Sequence, residues 1–355
     1  MEEKTSSLAQ LVCPAPHAVK DTILLGHGSG GRLSAELTRS VFLPAFANPV
    51  LDRLDDQAIV NVKGARLAFT TDSFVVKPLF FPGGDIGSLA VHGTVNDLAM
   101  GGATPLFLSV AFIIEEGLSM DVLRRVVDSL RAAAERTGVQ IVTGDTKVVE
   151  KGSGDQLFIN TTGIGLVPDG LEMSANRASP GDKVLLSGSI GEHGIAILAQ
   201  REGLEFECPV ESDSAALNGL VAAMLRVDGG RGIRVLRDPT RGGVSSTLNE
   251  IAEASRVGIR LEENTIPIRE EVRGACEMLG LDPLYVANEG KLIAIVAPDT
   301  AEAVLDAMRR DELGQNARMI GTVVESASPI VTIRTMLGTS RRVDMLAGDQ
   351  LPRIC

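Results

Sequence analysis

Acidic residues stand where the apolar segments of this sequence end, and their type and placement could hold a metal ion. They are Asp55, Asp56, Asp72, Asp97, Asp145 and Asp238. Carboxylates at strand ends beside glycine turns suit Mg²⁺, a hard cation that takes oxygen ligands and leaves positions open for nucleotide phosphates. For any one of them, a turn or N-cap role is the better explanation. Only the set predicts a site for magnesium and a polyphosphate.

Further polar side chains could take part in such chemistry. Lys147 lies two residues after Asp145 and either contacts phosphate or is a solvated surface lysine. Glu289 lies between a turn and an apolar strand, where a carboxylate is either a turn acceptor or a placed base, and the sequence leaves both open. His92 stands one helical turn before Asn96. No second histidine or cysteine stands at ligand spacing, so a half-buried histidine is favoured over a metal ligand.

A glycine cluster, GHGSGG, precedes the first helical pattern. Gly26, Gly28 and Gly31 fit the dinucleotide-binding spacing G-x-G-x-x-G. The segment that follows carries Pro44 and Pro49 where that fold needs a second strand, which argues against a dinucleotide site. The sequence contains no G-x-x-x-x-G-K-[ST] P-loop. The cluster is therefore either an anion-binding loop before a helix or a flexible hinge.

The chain ends on a cysteine, Cys355. Chain ends are loose unless something docks them, so we expect Cys355 to lie in a flexible tail with an accessible thiol. The other cysteines, Cys13, Cys208 and Cys276, are far apart and form no C-x-x-C pair. This spacing favours neither a thiolate metal site nor a disulfide framework.

The composition narrows the class of protein. Hydrophobic residues make up 44% of the 355 residues and charged residues 23%, which is typical of a well-packed globular protein. A net charge of -12 with scattered lysines and arginines, one tyrosine and no tryptophan argues against nucleic acid as a partner. There is no apolar run long enough to span a membrane and no signal-peptide pattern, so we expect no membrane association and a cytoplasmic location.

Apolar periodicity predicts the elements that position these residues. Helices are expected over 85–99, with Asp85 as N-cap, and over 119–138. Strands alternate with helices but also follow one another, so we expect an α/β fold with mixed sheets and helices on one face. The turn at 179–182 separates two such sets. The predicted organisation is an extension at 1–22, domains at 23–172 and 173–340, and a flexible tail at 341–355.

Longer motifs resemble those of a known family. These are GHGSGG, DDQAIV, TTDSFVVKPLFFPGGDIGSLAVHGTVNDLAMGGATP, TGDTKVV, RDPTRGG, ANEGKL and the terminal PRIC. From residue 24 to residue 355 the sequence is similar to the HypE family of hydrogenase maturation proteins. That family belongs to the ATP-using superfamily of aminoimidazole ribonucleotide synthetase and selenophosphate synthetase. Residues 1–22, with Cys13 and His17, fall outside the resemblance.

The resemblance implies a two-domain aminoimidazole ribonucleotide synthetase-like fold and an ATP-dependent carbamoyl dehydratase. Cys355 would accept a carbamoyl group from the carbamoyltransferase HypF, and ATP with Mg²⁺ would drive its dehydration to a thiocyanate. Cyanide would then pass to iron on the HypC-HypD complex, for the nickel-iron hydrogenase centre. A homodimer is implied, with domain 23–172 binding ATP and forming the dimer contact.

The resemblance also implies roles for matched positions. Metal and phosphate contacts fall on Asp55, Asp72, Asp97, Asp145 and Asp238. Contacts to the nucleotide fall on Gly28, Ser29, Gly30, Gly31, Asn96 and Thr146. Handling of the carbamoyl group falls on Lys147 and Glu289, with Cys355 as its carrier. A carboxylate base and ATP together suit the chemistry, because an amide oxygen leaves well only as a phosphate ester.

Two other functions remain open on the sequence. A selenophosphate synthetase or small-molecule kinase would share the fold, but GHGSGG lacks the reactive cysteine and nearby lysine expected of the synthetase. A non-catalytic scaffold tethered through Cys355 would bind a partner without hydrolysing ATP. The acidic turn residues beside glycines favour the enzyme over the scaffold.

Overall fold

The computed structural model describes residues 22–204, 209–348 and 354–355, which fold around two mixed β-sheets. Cys13, His17 and Cys208 lie outside the described residues. The first sheet has the strand order β1-β2-β7-β5-β6, and the second has the order β14-β13-β10-β12-β8-β11-β9. Each sheet combines parallel and antiparallel pairs, as the sequence predicts for an α/β fold with mixed sheets.

The described part of the first half of the chain forms the first sheet and four α-helices. Its strands are β1 (Ala58–Val62), β2 (Ala65–Phe74), β3 (Phe80–Phe81), β4 (Gly84–Asp85), β5 (Thr104–Glu115), β6 (Gln140–Val149) and β7 (Leu157–Leu166). Its helices are α1 (Arg32–Leu37), α2 (Leu43–Phe46), α3 (Ile86–Met100) and α4 (Met120–Thr137), and a π-helical stretch at Thr38–Phe42 joins the first two. The short pair β3 and β4 forms a separate hairpin before α3.

In the second half, the residues that the structure describes form the larger sheet and five α-helices. Its strands are β8 (Lys183–Leu186), β9 (Ile233–Arg237), β10 (Gly258–Glu262), β11 (Ile293–Val296), β12 (Arg318–Val324), β13 (Ile330–Arg334) and β14 (Ser340–Arg342). Its helices are α5 (Glu192–Glu202), α6 (Asn218–Leu225), α7 (Gly243–Ser255), α8 (Glu270–Leu279) and α9 (Ala301–Arg309). The predicted turn at 179–182 leads directly into β8.

Helix caps fall where the sequence predicts them. The side chain of Asp85 accepts hydrogen bonds from the backbone N–H groups of Gly87 and Ser88 at the start of α3. Ser119 caps α4 in the same way, and that helix ends at Gly138, whose φ of 76° is left-handed. Apolar periodicity does not predict β9 and β14, because β9 is only five residues long and β14 consists of a serine and two exposed arginines.

Helix α3 lies at the junction of the two halves. The sequence predicts a polar edge carrying His92 and Asn96, but both side chains are buried, and of the whole helix only Asp97 is partly exposed. The helix packs on β2, β7 and α4 within the first half and on α6 and β9 of the second. Its polar side chains are therefore enclosed by the second half instead of facing solvent.

No helix among the described ranges is both long and apolar enough to cross a lipid bilayer.

Candidate active site

Three carboxylates meet at the junction between the halves. One side-chain oxygen each from Asp56, Asp97 and Asp238 lies within 4.8 Å of the other two. Asp56 precedes β1, Asp97 is on the C-terminal half of α3, and Asp238 directly follows β9. Three separate elements thus deliver acidic groups to one point, which we call the acidic cluster.

The charges of the acidic cluster are only partly compensated. Burial raises the pKa of Asp56 and Asp97 well above the usual range, and raises that of Asp238 to about 6. Repulsion between these groups adds to the effect on Asp56 and Asp97. Arg237 opposes it, with its Nε 2.8 Å from Asp56 Oδ1, but also pairs with Glu250 at 2.7 Å.

The acidic cluster fits a divalent cation. Asp56 Oδ2 is buried and has no hydrogen-bond partner among the described atoms. An unpaired buried carboxylate oxygen beside two other carboxylates is costly unless a cation binds there. The hard oxygen donors match Mg²⁺.

Asp72 lies beside the acidic cluster. Its Oδ2 accepts a hydrogen bond from Thr94 Oγ1 at 3.0 Å, and its charge raises the pKa of Asp97. Burial is the main reason why the pKa of Asp72 is itself raised. The predicted residues Asp72, Asp97 and Asp238 are therefore brought together.

Asp55 has different partners from its neighbour Asp56. Its Oδ1 accepts hydrogen bonds from Ser174 Oγ and the backbone N–H of Ala175, both at 2.9 Å, and its Oδ2 pairs with Arg53 at 3.1 Å. These bonds fasten the segment before β1 to the second half of the chain. In place of the predicted Asp55, the structure brings Asp56 into the acidic cluster, because the oxygens of Asp55 are already engaged.

Asp145, Thr146 and Lys147 lie on the exposed edge strand β6. The Lys147 Nζ is 2.8 Å from Asp145 Oδ2, and both side chains are more than 60% exposed. The Asp145 carboxylate also accepts a hydrogen bond from the Thr146 backbone. These hydrogen bonds lower the pKa of Asp145, with the bond from Lys147 contributing most. Asp145 therefore stands apart from the cluster that contains Asp97.

Asn96 contacts protein backbone. Its Oδ1 accepts from Leu217 N at 2.7 Å, and its Nδ2 donates to Ala215 O at 3.0 Å, with Glu289 O at 3.4 Å. The side chain is 1% exposed. These bonds argue against the predicted nucleotide contact of Asn96, since its amide is occupied in joining α3 to the second half.

His92 is a buried structural histidine, as the sequence favours. Its Nδ1 lies 3.0 Å from Ser214 Oγ. Burial lowers its pKa to about 4, with Arg136 adding to the effect. The His92 ring is therefore neutral and adds no buried charge to the junction of the two halves.

The glycine cluster is held between two backbone segments. Gly30 has φ of 73°, and a Cβ at that position would meet Arg241 O at 2.6 Å. Arg241 Nη1 donates to Gly28 O at 2.8 Å. On the other side, Ser29 Oγ lies 2.9 Å from Gly348 O, and the N–H at the start of α1 donates to Leu346 O. The loop is thus fixed between the RDPTRGG turn and the C-terminal segment.

The C-terminal residues dock in the same junction. The sequence predicts a flexible tail at 341–355, and the structure packs both of its described parts, 341–348 and 354–355, against the body of the protein. Ile354 is 5% exposed within the core of the first half, and Val75 N donates to Cys355 O at 3.0 Å. Burial raises the pKa of the Cys355 thiol to about 12, and Glu289 and Asp72 add to this while Arg241 opposes it.

Glu289 lies beside Cys355, and a hydrogen bond from its backbone N–H holds it in place. Asp213 accepts hydrogen bonds from the N–H groups of Glu289 and Gly290 and pairs with Lys291 at 3.1 Å. The Glu289 Oε1 is buried without a hydrogen-bond partner among the described atoms. Burial raises the pKa of Glu289 well above its usual range, Asp238 and Asp213 add to the rise, and Arg241 opposes it.

Arg237 and Arg241 are site residues that the sequence reasoning missed. Both stand in the RDPTRGG segment, where only Asp238 was singled out. Arg241 interacts electrostatically with Cys355, Glu289 and Asp72. An arginine beside a strand-end aspartate and a glycine turn was the available signal.

Two family models cover most of the chain. The AIR synthase related protein N-terminal domain matches residues 54–167, and the C-terminal domain of the same family matches residues 179–334. A carbamoyl dehydratase HypE of Rhizobium leguminosarum bv. viciae is 56% identical over 331 residues, which cover 93% of this chain and 94% of the relative. The chain belongs to the HypE family. HypE membership was implied by the terminal PRIC and the long central motif, and this expectation is confirmed.

Solved HypE structures have the same fold. A crystal structure of a HypE-HypF complex matches with a TM-score of 0.83 at 51% identity, covering 87% of this chain and 99% of that chain. A crystal structure of HypE in complex with ATP matches with a TM-score of 0.79 at 52% identity, covering 94% of this chain and 100% of that chain. The predicted two-domain synthetase-like fold is thus confirmed.

Proposed function

We propose that this protein is an ATP-dependent carbamoyl dehydratase of hydrogenase maturation, which carries its substrate on Cys355. The observation that carries this proposal is the position of Cys355, whose thiol lies beside Glu289 and Arg241 at the junction that holds the acidic cluster. Family relatives at 56% identity are named carbamoyl dehydratase. A scaffold tethered by a cysteine has no need for a buried carboxylate beside that sulfur.

The reaction begins with Cys355 outside the site. The docked thiol stays protonated because its pKa is raised to about 12, and a thiol attacks an acyl donor only as thiolate. The tail therefore leaves the junction to accept the carbamoyl group and returns with a neutral S-carbamoyl group. A neutral group is less costly than a thiolate to bury beside the carboxylates of Glu289 and Asp72.

Dehydration then converts the amide into a nitrile. The carbamoyl oxygen attacks the γ-phosphorus of ATP, and ADP leaves. The nitrogen then loses two protons, one to Glu289 and one to the phosphorylated oxygen, which departs as hydrogen phosphate and leaves sulfur bound to C≡N. Glu289 takes a proton from nitrogen, since burial makes its carboxylate a stronger base than an exposed glutamate once ionised. The Arg241 guanidinium stabilises the negative charge that develops on oxygen.

Asp56, Asp97 and Asp238 would hold a magnesium ion, with Asp72 beside them. When bound, the ion would neutralise phosphate charge and polarise the transferred phosphoryl group. Asp238 otherwise raises the pKa of Glu289, so compensation of the Asp238 charge favours ionised Glu289 at neutral pH.

The triphosphate is contacted by Gly28, Ser29, Gly30 and Gly31. These small residues let phosphate oxygens approach the backbone closely, while the Ser29 and Gly30 N–H groups donate to Gly26 O and Ser34 Oγ and hold the loop in shape. A cavity of about 540 Å³ adjoins Gly30 and Gly31 and extends to Arg237 and Asn176. The RDPTRGG turn fixes this loop in place through Arg241.

The active unit is a homodimer formed across β6. This edge strand exposes Ile141, Val142 and Val148, with 42%, 59% and 67% of each side chain accessible. An apolar exposed edge strand is a ready surface for pairing with a second copy. Asp145, Thr146 and Lys147 lie on the same strand, so in the dimer they contribute to the nucleotide and carbamoyl site of the partner.

The partners are HypF as carbamoyl donor and the HypC-HypD complex as cyanide acceptor. A relative of this chain crystallises as a HypE-HypF complex, which supports the first. The second follows from the product, because a thiocyanate sulfur needs an acceptor for its cyanide. The free thiols of Cys276 and Cys355 suit the reducing cytoplasm.

The mass of the C-terminal peptide tests this function. The full chain is incubated with carbamoyltransferase, carbamoyl phosphate and MgATP, and in parallel with a non-hydrolysable ATP analogue. We expect a carbamoyl adduct on Cys355 that loses one water only with hydrolysable ATP. An unmodified Cys355 while ATP is consumed would move the function to another reaction of the superfamily.

A further inference from the structure

His193, near the start of α5, contacts the docked terminus directly. Its Nε2 lies 2.6 Å from the carbonyl oxygen of Ile354, the residue before Cys355. The ring is fully buried and packs edge-on against Phe81, with centroids 5.6 Å apart and an interplanar angle of 89°. Both Phe81 and Ile354 belong to the core of the first half, so a residue of the second half holds the terminus in a pocket of the first.

The hydrogen-bond partners determine which nitrogen of His193 carries the proton. The Ile354 oxygen can only accept, so Nε2 must donate to it. On the other side, Nδ1 lies 2.7 Å from Ser212 Oγ, which itself accepts a hydrogen bond from Ser214 N at 3.1 Å. The Ser212 hydroxyl therefore has its own hydrogen available for Nδ1. The ring is neutral, since burial lowers its pKa, and its proton is on Nε2.

The same segment is tied to the loop that carries Glu289. The N–H of Gly191, the N-cap of α5, donates to Asn288 Oδ1 at 2.8 Å. The N–H of Gly194 donates to Ala287 O at 3.2 Å. The His193 ring contacts the terminus, and the Glu289 carboxyl lies beside its sulfur. Two hydrogen bonds between short chain segments therefore connect these two residues. A contact at Ile354 thus fixes the sulfur relative to Glu289.

We propose that His193 is a positioning residue for the dehydration, holding the Ile354 carbonyl so that the sulfur of Cys355 stays beside Glu289. This inference rests on the dehydratase function proposed above. Ser212 orients the ring by donating to Nδ1, and Val75 N holds the other side of the terminus through Cys355 O. His193 takes no proton from the substrate.

Alkylation of Cys355 tests the docking role without relying on activity. The full chain is treated with iodoacetamide, and the mass of the peptide at 349–355, released by cleavage before Asp349, gives the rate. Loss of a buried hydrogen bond shifts such an equilibrium by about tenfold, so His193→Phe, which keeps a ring but has no donor, should raise the rate by about that factor.

His193→Gln, which places an amide donor near the Nε2 position, should stay within about twofold of the wild type. Ile195→Val on the same helix should leave the rate unchanged, because Ile195 packs in a different cluster from Ile354. Equal rates for His193→Phe and the wild type would overturn the proposal.

A second variant separates positioning from general loss of packing. Ser212→Ala should increase alkylation by a smaller factor than His193→Phe and should add nothing in the His193→Phe background, because both act through one ring. Additive effects of the two substitutions would show that Ser212 does not act through the His193 ring. In single turnovers of the preloaded thiocarbamate, His193→Phe should slow thiocyanate formation with KM for ATP unchanged. If the wild-type chain itself forms no thiocyanate, the proposed function fails while the alkylation rates still decide the role of His193.

Discussion

At the scale of single residues, neighbours in sequence have opposite surroundings. Asp55 is bound by Ser174, Ala175 and Arg53, whereas Asp56 leaves one oxygen unpaired beside Asp97. The sequence indicates an acidic site because aspartates recur beside turns. It cannot indicate which of two adjacent aspartates joins the acidic cluster, because that depends on partners more than 100 residues away along the chain.

Asp97→Asn tests the acidic cluster. The amide keeps the shape and can still accept the hydrogen bond from Thr70, which lies 2.8 Å from Asp97 Oδ2. We expect Mg²⁺-dependent ATP hydrolysis to fall by about tenfold or more, because a metal ligand is lost. In chelator the melting temperature should rise by about 2 °C or more, because a buried charge in a repelling group is removed.

The control for this variant is Asp121→Asn, on the exposed face of α4. It should change neither the hydrolysis rate nor the response of melting to Mg²⁺. Unchanged hydrolysis in Asp97→Asn would remove Asp97 from the site, and so would an unaltered stabilisation by added Mg²⁺.

At the scale of elements, residue types and apolar periodicity predict the features that depend on neighbours along the chain. The caps at Asp85, Ser119 and Gly138 and most strands follow from residue types and periodicity. The surroundings of α3 could not be predicted, because the amide of its buried Asn96 is satisfied by the backbone of residues 215, 217 and 289. The docking of Ile354 was missed for the same reason, since it depends on a pocket formed by distant segments.

The glycine loop gives a prediction at this scale. A Cβ on Gly30 would collide with the carbonyl of Arg241, and φ there is 73°. Gly30→Ala should therefore displace the loop and lower ATP affinity by about tenfold, measured by calorimetric titration with MgATP. Gly64→Ala is the matched control, with φ of 90° and no atom within 4 Å of the added carbon. It should cost about 1–2 kcal/mol of stability from strain alone and leave ATP affinity unchanged. Equal affinities for Gly30→Ala and the wild type would contradict the role of the loop.

At the scale of the whole molecule, the candidate site residues lie in separate parts of the structure. The acidic cluster, Glu289 and the terminus converge at the junction, whereas Lys147 lies on the outer strand β6. The sequence motifs that resemble the HypE family contain all of these residues. They do not show that Lys147 lies apart from the others. Pairing of β6 with β6 of a second copy would place Lys147 at the active site of that copy.

Val142→Glu tests this arrangement. A buried charge in the proposed β6 interface should dissociate the dimer, measured by sedimentation, and slow dehydration at protein concentrations where the wild type remains dimeric. Val127→Glu on α4, where 42% of the side chain is exposed, is the control and should leave the dimer intact. A monomeric wild type with full activity would rule out a role for β6 of a second copy.

In the proposed function, the sulfur of Cys355 and the carboxyl of Glu289 form one site for ATP-dependent dehydration. The most direct measurement follows the chain preloaded with a ¹³C-carbamoyl group on Cys355 through a single turnover with MgATP, comparing wild type with Glu289→Gln by the ¹³C signal of the product. We expect the wild type to convert the thiocarbamate to thiocyanate with one ADP formed, whereas Glu289→Gln should bind ATP but retain the thiocarbamate. Thiocyanate formation at the wild-type rate in Glu289→Gln would show that Glu289 is not part of the dehydration site.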